Sequence, residues 1–196
     1  MTDPEIYHPT PMDGREPFHA SGNALGATVL DFWRWSCSDL LSNATRGVVA
    51  EYIVGMALGA AHGVRNEWGA HDLKTTDGTL VEVKASGYVQ SWHRATPSNI
   101  SFGIQPTKGW DPDTNLLTPT AKRHAEVYVF CVLTPTRREA ADPLDVDNWR
   151  FHVLSTRVLD ERAPTQKTIG LGGLKRLGAK ETRFDGLAGA VRTAAG

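Results

Sequence analysis

The sequence predicts a single α/β domain in which a sheet of about five strands is flanked by helices. Three patterns indicate this class: apolar residues at helical spacing before residue 60, an Asp77-Gly78 turn between two strand-like segments, and an unbroken apolar run from Val127 to Leu133. Helices that precede and follow a group of strands are typical of one α/β domain. With 196 residues, the chain is long enough to bury a full core.

Two helices are predicted before the strands. The first covers residues 27–41 and is expected to bury an apolar stripe made of Leu30, Trp33, Cys37 and Leu40. The second begins at a cap supplied by Asn43 or Thr45 and continues to about residue 60. Its expected core stripe is Val49, Ile53, Met56 and Ala60.

Glu51 points away from the core stripe of the second predicted helix. Its neighbours on that side, Gly47, Val54 and Leu58, are small or apolar. A carboxylate in such surroundings predicts a second buried interface, because an unpaired buried charge is costly without a partner or a metal ion. Gly47, one turn before Glu51, is expected to let another backbone approach closely.

The predicted strands cover residues 65–73, 80–85, 100–105, 127–133 and 149–154. The run at 127–133 suits a central strand that is buried on both faces. Residues 170–190 are expected to form short helical pieces, because glycines interrupt the apolar pattern. Residues 1–24 contain four prolines and little periodicity, so they are predicted to be a flexible N-terminal arm ahead of a domain at 25–196.

Charged side chains converge on the hairpin at residues 72–84. On the strand after the turn, Glu82 and Lys84 point to one face while Val81 and Val83 point to the other. Asp72 arrives from the neighbouring strand. Two carboxylates and an ammonium at a sheet edge suit a divalent-metal site with a cationic helper, which is the apparatus for hydrolysing a phosphodiester. The competing interpretation is a strand whose charged face is simply solvated.

Composition is that of an ordinary globular protein, with 40% hydrophobic residues, 22% charged residues and a net charge of −1. No apolar run approaches the length of a membrane span and no signal-peptide pattern is present, so a cytoplasmic protein without membrane contact is expected.

Cys37 and Cys131 lie in apolar contexts and are expected to be buried free thiols. A basic excess in residues 150–196 suits phosphate contacts, although an ordinary solvated surface explains it nearly as well.

The candidate site residues occur in a fixed order along the chain. A predicted helix carries Gly47-x-x-x-Glu51, Asp72 comes next, Glu82-x-Lys84 lies on a predicted strand, and Gln90 follows. This order resembles the PD-(D/E)xK nuclease superfamily, which includes restriction endonucleases, Holliday-junction resolvases and repair nucleases. The resemblance covers residues 45–133 and implies a restriction endonuclease-like fold with a central mixed sheet. The chain also looks like a group of uncharacterised bacterial proteins with Asp-Phe-Trp-Arg-Trp and Arg-Gly-x-x-Ala-Glu segments.

The resemblance implies a magnesium site. Asp72, Glu82 and the Val83 carbonyl would bind Mg²⁺, for which Mn²⁺ could substitute, and waters and phosphate would complete the coordination. Glu51 would face the same site from the helix, either through water or as ligand to a second ion.

Further residues take supporting roles in the resemblance. Lys84 would hold or deprotonate the attacking water and offset the developing negative charge. Gln90 would orient Lys84 or the phosphate, a role for which Ser86 is a weaker candidate. Trp92, His93 and Arg94 are candidate contacts to the DNA backbone, with loop solvation as the alternative. Cleavage would leave a 5′-phosphate and a 3′-hydroxyl.

The match departs from the superfamily pattern before the aspartate, where His71 replaces a proline. His71 is itself a candidate phosphate donor, and a structural role at a strand end is the alternative. Asp72-x-Lys74 offers a competing register, but it leaves only Glu67 for the first metal position. The register with Asp72, Glu82 and Lys84 is therefore preferred.

The implied function is a Mg²⁺-dependent endonuclease acting on DNA in restriction, phage defence or repair, with RNA and branched DNA left open as substrates. The alternative is a non-catalytic nucleic-acid-binding or assembly module with a nuclease-like fold. A metabolic α/β protein with an acidic surface strand is a third interpretation, and it predicts no affinity for DNA. Superfamily members often form homodimers, and the apolar first helix could serve that purpose by analogy.

Overall fold

A computed structural model of the protein describes residues 9–92, 96–111 and 116–196. The strands are β1 (Pro17–Ala20), β2 (Asn23–Thr28), β3 (Leu73–Lys74), β4 (Leu80–Gly87), β5 (Phe102–Gly103), β6 (Trp110–Asp111), β7 (Leu116–Leu117), β8 (Val127–Leu133), β9 (Trp149–Ser155), β10 (Thr168–Ile169) and β11 (Lys180–Thr182). The α-helices are α1 (Val29–Cys37), α2 (Asn43–Leu58), α3 (Thr156–Arg162), α4 (Leu171–Arg176) and α5 (Leu187–Ala195). None of the helices in these ranges is long and apolar enough to cross a membrane. The candidate DNA contacts His93 and Arg94, and residues 1–8 of the predicted arm, lie outside the described residues.

Strands β11, β9, β8, β4 and β3 form the central sheet in that spatial order. β4 and β8 are parallel, whereas the other neighbouring pairs are antiparallel. The prediction of an α/β domain with a mixed sheet of about five strands is therefore confirmed. Three short pairs, β1–β2, β5–β10 and β6–β7, lie outside this sheet.

Strand β8 lies at the centre of the hydrophobic core and is buried along its whole length. Its odd-numbered residues, such as Val129, pack with α2 and α5 on one face of the sheet. Its even-numbered residues, such as Phe130, pack with side chains of α3 and α4 on the other face. Successive side chains of a strand point to opposite faces, so a strand covered on both sides needs an unbroken apolar sequence.

Several local predictions are confirmed. β8 has the predicted bounds, and β9 extends the predicted strand by one residue, to Ser155. The Asp77-Gly78 segment forms the predicted turn between β3 and β4. Gly78 has a φ of +93° there, a conformation that favours glycine. Cys131 is a buried free thiol, as expected.

Two predicted strands are wrong in extent. Residues 65–72 form a loop, and only Leu73–Lys74 pairs with β4 on this side. Local hydrogen bonds compete with strand pairing in this loop, as where the Trp68 N–H donates to Asn66 Oδ1 at 3.1 Å. The predicted strand at 100–105 shrinks to β5, which pairs with β10. The fifth central strand is instead β11, which lies within the segment expected to be helical.

Residues 13–37 form an N-terminal unit in which the hairpin β1–β2 leads directly into α1. The hairpin occupies part of the segment predicted to be a flexible arm. Thr28 and Asp31 cap each other's backbone N–H groups at the start of the helix. The expectation of a buried stripe on this helix is wrong, because no residue of α1 is buried. Cys37 is likewise exposed rather than buried.

Helix α2 forms one wall of the core. Its cap is Ser42 rather than Asn43 or Thr45. Its buried residues are Arg46, Ala50, Glu51, Ile53, Val54 and Gly55. The burial of Glu51 confirms the predicted second interface, whereas Met56 of the expected core stripe is exposed. No close backbone approach occurs at Gly47, because a Cβ built there would have no atom within 4 Å.

Candidate active site

The candidate site forms where strand β3 begins and its pairing with β4 ends, at Leu73 opposite Val81. Asp72 comes next along this edge. Its N–H donates to the Val81 carbonyl at 3.2 Å, and its carboxylate accepts the Val83 N–H at 2.6 Å. The Asp72 side chain thus satisfies a strand N–H that the short β3 does not reach. Because the N–H and C=O of one strand residue point to the same edge, the Val83 carbonyl faces this side as well.

Glu82 and Lys84 lie on the other face of β4 from the buried Val81 and Val83. Lys84 Nζ lies 2.5 Å from Glu82 Oε1, and the two side chains are 34% and 18% exposed, respectively. Tyr128 stands next to Glu82 on β8 and is buried. Burial, reinforced by the charge of Glu82, raises the pKa of the Tyr128 hydroxyl, so this group stays protonated at neutral pH. On the β8 side, the ion pair between Glu82 and Lys84 therefore has an uncharged neighbour, Tyr128.

Glu51 approaches the same edge from α2. It is only 7% exposed, and Arg65 from the loop before β3 holds it through three contacts. Arg65 Nε lies 2.9 Å from both carboxylate oxygens of Glu51, and one terminal guanidinium nitrogen lies 2.9 Å from Oε2. A buried carboxylate needs such a partner to offset its lost hydration. The sequence expectation that Glu51 requires a partner or a metal is met in this structure by Arg65.

The three carboxylates influence one another's ionisation. Burial raises the pKa of Glu82, and the charge of Asp72 raises it further against the opposing effect of Lys84. For Glu51 the pKa is also raised, first by burial and then by Asp72, and Arg65 opposes this shift. Asp72 has no ion-pair partner among the described residues. Of the three carboxylates, Glu51 and Glu82 therefore each have a cationic partner, whereas Asp72 has none in the described part of the chain.

The donor atoms suit a hard divalent cation such as Mg²⁺, which binds carboxylate and carbonyl oxygens. The proximity of Asp72 to Glu82 is a second reason, because a cation between the two carboxylates would relieve their repulsion. The side chains do not form a closed site as they stand. Within residues 9–92, 96–111 and 116–196, no three His, Cys, Asp or Glu side chains converge closely enough to hold a metal ion. Binding would require Glu82 to exchange its contact with Lys84 for the cation.

Two clefts reach the carboxylates from solvent. The smaller has a volume of about 370 Å³ and is lined by Glu51, Arg65 and His71 among others. The larger has a volume of about 770 Å³ and is bordered by Glu82. Asp72 lines both clefts and lies at their junction. Burial lowers the pKa of His71, so His71 adds no positive charge to the smaller cleft at neutral pH.

Gln90 is the predicted site residue that the structure does not bring to the others. It is buried, and its hydrogen bonds go to Arg46, Gly87 and Ser98 rather than to Lys84. Arg46 Nη1 lies 3.2 Å from Gln90 Oε1. In this position Gln90 supports a buried guanidinium at the start of α2.

Sequence reasoning missed two residues at the edge. Arg65 had an indirect signal, since Glu51 in apolar surroundings calls for a partner, but nothing local identifies a residue 14 positions away. Trp68, which lines the larger cleft, had no signal. Its position depends on the loop at residues 65–72, which was predicted to be part of a strand.

Comparison with known proteins adds no family to this description. No protein-family model matches the chain, and no curated protein matches it.

Proposed function

We propose that the protein is a divalent-metal-dependent nuclease that hydrolyses phosphodiester bonds of DNA, with a restriction endonuclease-like fold. The observation that carries the proposal is the position of Asp72, which lines one open cleft together with Glu51 and another together with Glu82, and Lys84 contacts Glu82 there. Glu51 is buried and the Glu82 side chain is only 18% exposed, and burial of carboxylates is costly unless a cation offsets their charge. An excess of carboxylates in a cleft is the arrangement that a metal-binding site requires.

Asp72, Glu82 and the Val83 carbonyl would hold Mg²⁺ or Mn²⁺. When bound, the ion would polarise the scissile phosphate and stabilise the leaving oxygen. Glu51 would contribute through a water molecule or as ligand to a second ion, after loosening its contacts with Arg65. The Asp72 carboxylate keeps its orientation through the Val83 N–H, which holds one of its two oxygens.

Lys84 is the group that would act on the reacting water. Once Glu82 turns to the cation, the Lys84 ammonium loses its partner and is available to hold the water and to offset charge on the phosphate. The water oxygen would bond to phosphorus as the water gives up a proton to solvent, the bond from phosphorus to the 3′ oxygen would break, and the leaving 3′ oxygen would take up a proton from solvent. The products are a 5′-phosphate and a 3′-hydroxyl.

The direct test is cleavage of supercoiled plasmid, single-stranded DNA, branched DNA and RNA with Mg²⁺, Mn²⁺ or EDTA. Lys84→Ala and Glu82→Gln are each expected to lower the rate by at least about 100-fold. Lys180→Ala and Glu181→Gln are matched controls, because they change the same residue types on exposed positions of β11 at the opposite edge of the sheet. Equal rates in all five proteins would contradict the assignment of the site.

Metal binding has its own readout in thermal unfolding. At a Mg²⁺ concentration ten times the Kd, the ion is expected to stabilise the folded state by about 1.4 kcal/mol. Glu82→Gln should abolish this stabilisation and Glu181→Gln should retain it. A stabilisation that depends on Glu82 without any cleavage would indicate the non-catalytic binding module. If the protein shows no cleavage and Mg²⁺ does not stabilise it, the sheet edge is an ordinary charged surface.

A further inference from the structure

The larger of the two clefts at the edge has an aromatic side as well as an acidic one. We call it the Trp68 cleft and define it by Trp68, Lys108, Trp110, Asp72 and Glu82. Its volume of about 770 Å³ lies within the range of small-ligand sites, roughly 300–1,000 Å³. The Trp68 side chain is 75% exposed. A large indole thus borders the same space as two of the proposed metal ligands.

The loop that carries Trp68 is anchored at both ends. Arg65 is held by the buried Glu51, and Asp72 is held by the strand edge of β4. Between them, Gly69 occupies a position where a Cβ would lie 3.0 Å from the His71 carbonyl oxygen, so the backbone there is tightly folded. The exposed indole is therefore presented by a loop with fixed ends.

A single exposed tryptophan is ordinary on a protein surface, so the argument depends on what surrounds Trp68. The carboxylates of Asp72 and Glu82 repel phosphate oxygens, and Lys108 is the basic residue that borders the cleft. Without a bound metal ion, attraction for a nucleic acid in this space must therefore come in large part from the bases. Aromatic side chains provide that attraction by stacking, and they do so for bases of any identity.

We propose that Trp68 is a stacking platform for an unpaired nucleobase, and that the nuclease acts on substrates with single-stranded nucleotides beside the scissile phosphate. This inference rests on the proposed function for its catalytic part. The bases of an intact duplex already stack on their neighbours, so they are not available to the indole without unstacking. Single strands, loops and flaps offer such bases directly.

Binding without cleavage tests the platform. The probe is a fluorescein-labelled oligothymidylate of 12 nucleotides, measured by anisotropy in EDTA, and the competitor is a blunt duplex of equal length. Trp68→Ala is expected to weaken single-strand binding about 5-fold to 150-fold, while Trp68→Phe retains most of the affinity. Trp35→Ala is the matched control, because Trp35 is 85% exposed on α1 and does not line the cleft.

Equal affinities of wild type and Trp68→Ala for the single strand would overturn the inference, as would a wild type that binds no single strand. The use of EDTA keeps the two proposals distinct. If the protein cuts plasmid and Trp68→Ala binds normally, the platform fails and the nuclease stands. If Trp68 is needed for binding but no substrate is cut with any metal, the nuclease fails and the platform stands.

Discussion

The N-terminal unit and the sheet core use aromatic residues in opposite ways. In the core Phe151 is fully buried, whereas Phe32 and Trp35 of α1 are 47% and 85% exposed. A helix of nine residues is too short to be stable alone in water. Helix α1 is tied instead to its own hairpin segment, where the Leu30 N–H donates to the Gly14 carbonyl at 2.9 Å. Apolar residues at helical spacing therefore predict that a helix forms, but they do not predict that its apolar face packs against the rest of the protein.

The largest expected contrast concerns phenylalanine in the two regions. Phe151→Ala should destabilise the protein by about 3–5 kcal/mol, because it opens a cavity in a packed core. Phe32→Ala should cost no more than about 1.5 kcal/mol, because the side chain is 47% exposed and leaves no cavity in a packed core. Urea unfolding of both variants measures this difference. A large loss of stability in Phe32→Ala would mean that another surface packs on the N-terminal unit in solution.

The second contrast separates structural from catalytic roles within the core. Gln90→Ala should cost about 1–3 kcal/mol, because it removes the hydrogen bonds that Gln90 makes with the Gly87 carbonyl and with the buried Arg46. Gln105→Ala, at an exposed position, is the matched control. Cleavage per folded molecule should stay close to wild type in Gln90→Ala. A normal unfolding curve with lost cleavage would instead support the role of Gln90 beside Lys84.

A smaller effect is expected from two glycines in α2. Gly47→Ala should stabilise the protein by about 0.5–1 kcal/mol, because a Cβ there would meet no atom within 4 Å and alanine favours the helix. Gly55→Ala should not stabilise, because its Cβ would lie 2.9 Å from the Ala61 Cβ. Thermal unfolding of the pair measures both. A loss of stability in Gly47→Ala would support the sequence prediction that another backbone approaches Gly47 closely.

The smallest perturbation labels the two regions without changing the fold. Cys37, exposed in the N-terminal unit, should react with iodoacetamide in the native protein. Cys131 should not react, because it lies buried in β8 and burial raises the pKa of its thiol. Mass spectrometry should therefore show one adduct in buffer and two in denaturant. Two adducts in buffer would show that β8 opens readily.

Much of the central sheet could be predicted because its signals are local. Asp77-Gly78 specifies a turn, and alternation on either side of it brings Asp72, Glu82 and Lys84 together within 13 residues. The apolar run at Val127–Leu133 identifies the strand with two covered faces. Each of these features depends on neighbours in the chain, so a sequence pattern is sufficient to predict it.

The remaining features depend on residues that are far apart in the chain. The pairing of β11 with β9 joins Thr182 to Phe151, and the partner of Glu51 comes from a loop that was predicted to be a strand. No local pattern distinguishes a helix stripe that meets a core from one that remains exposed. Hydrophobic burial is non-directional, so it favours burial of an apolar face without specifying where that face is buried.

Residue order alone was sufficient for the α/β class, the hairpin and the trio of Asp72, Glu82 and Lys84, because turn geometry and side-chain alternation act over a few residues. Tertiary structure decided that Arg65 neutralises Glu51, that Gln90 supports Arg46, and that Trp68 borders the cleft. Those contacts arise only when separate segments of the chain pack against one another. The positions of these residues depend on contacts between segments that are far apart in the chain, and no local sequence pattern specifies those contacts.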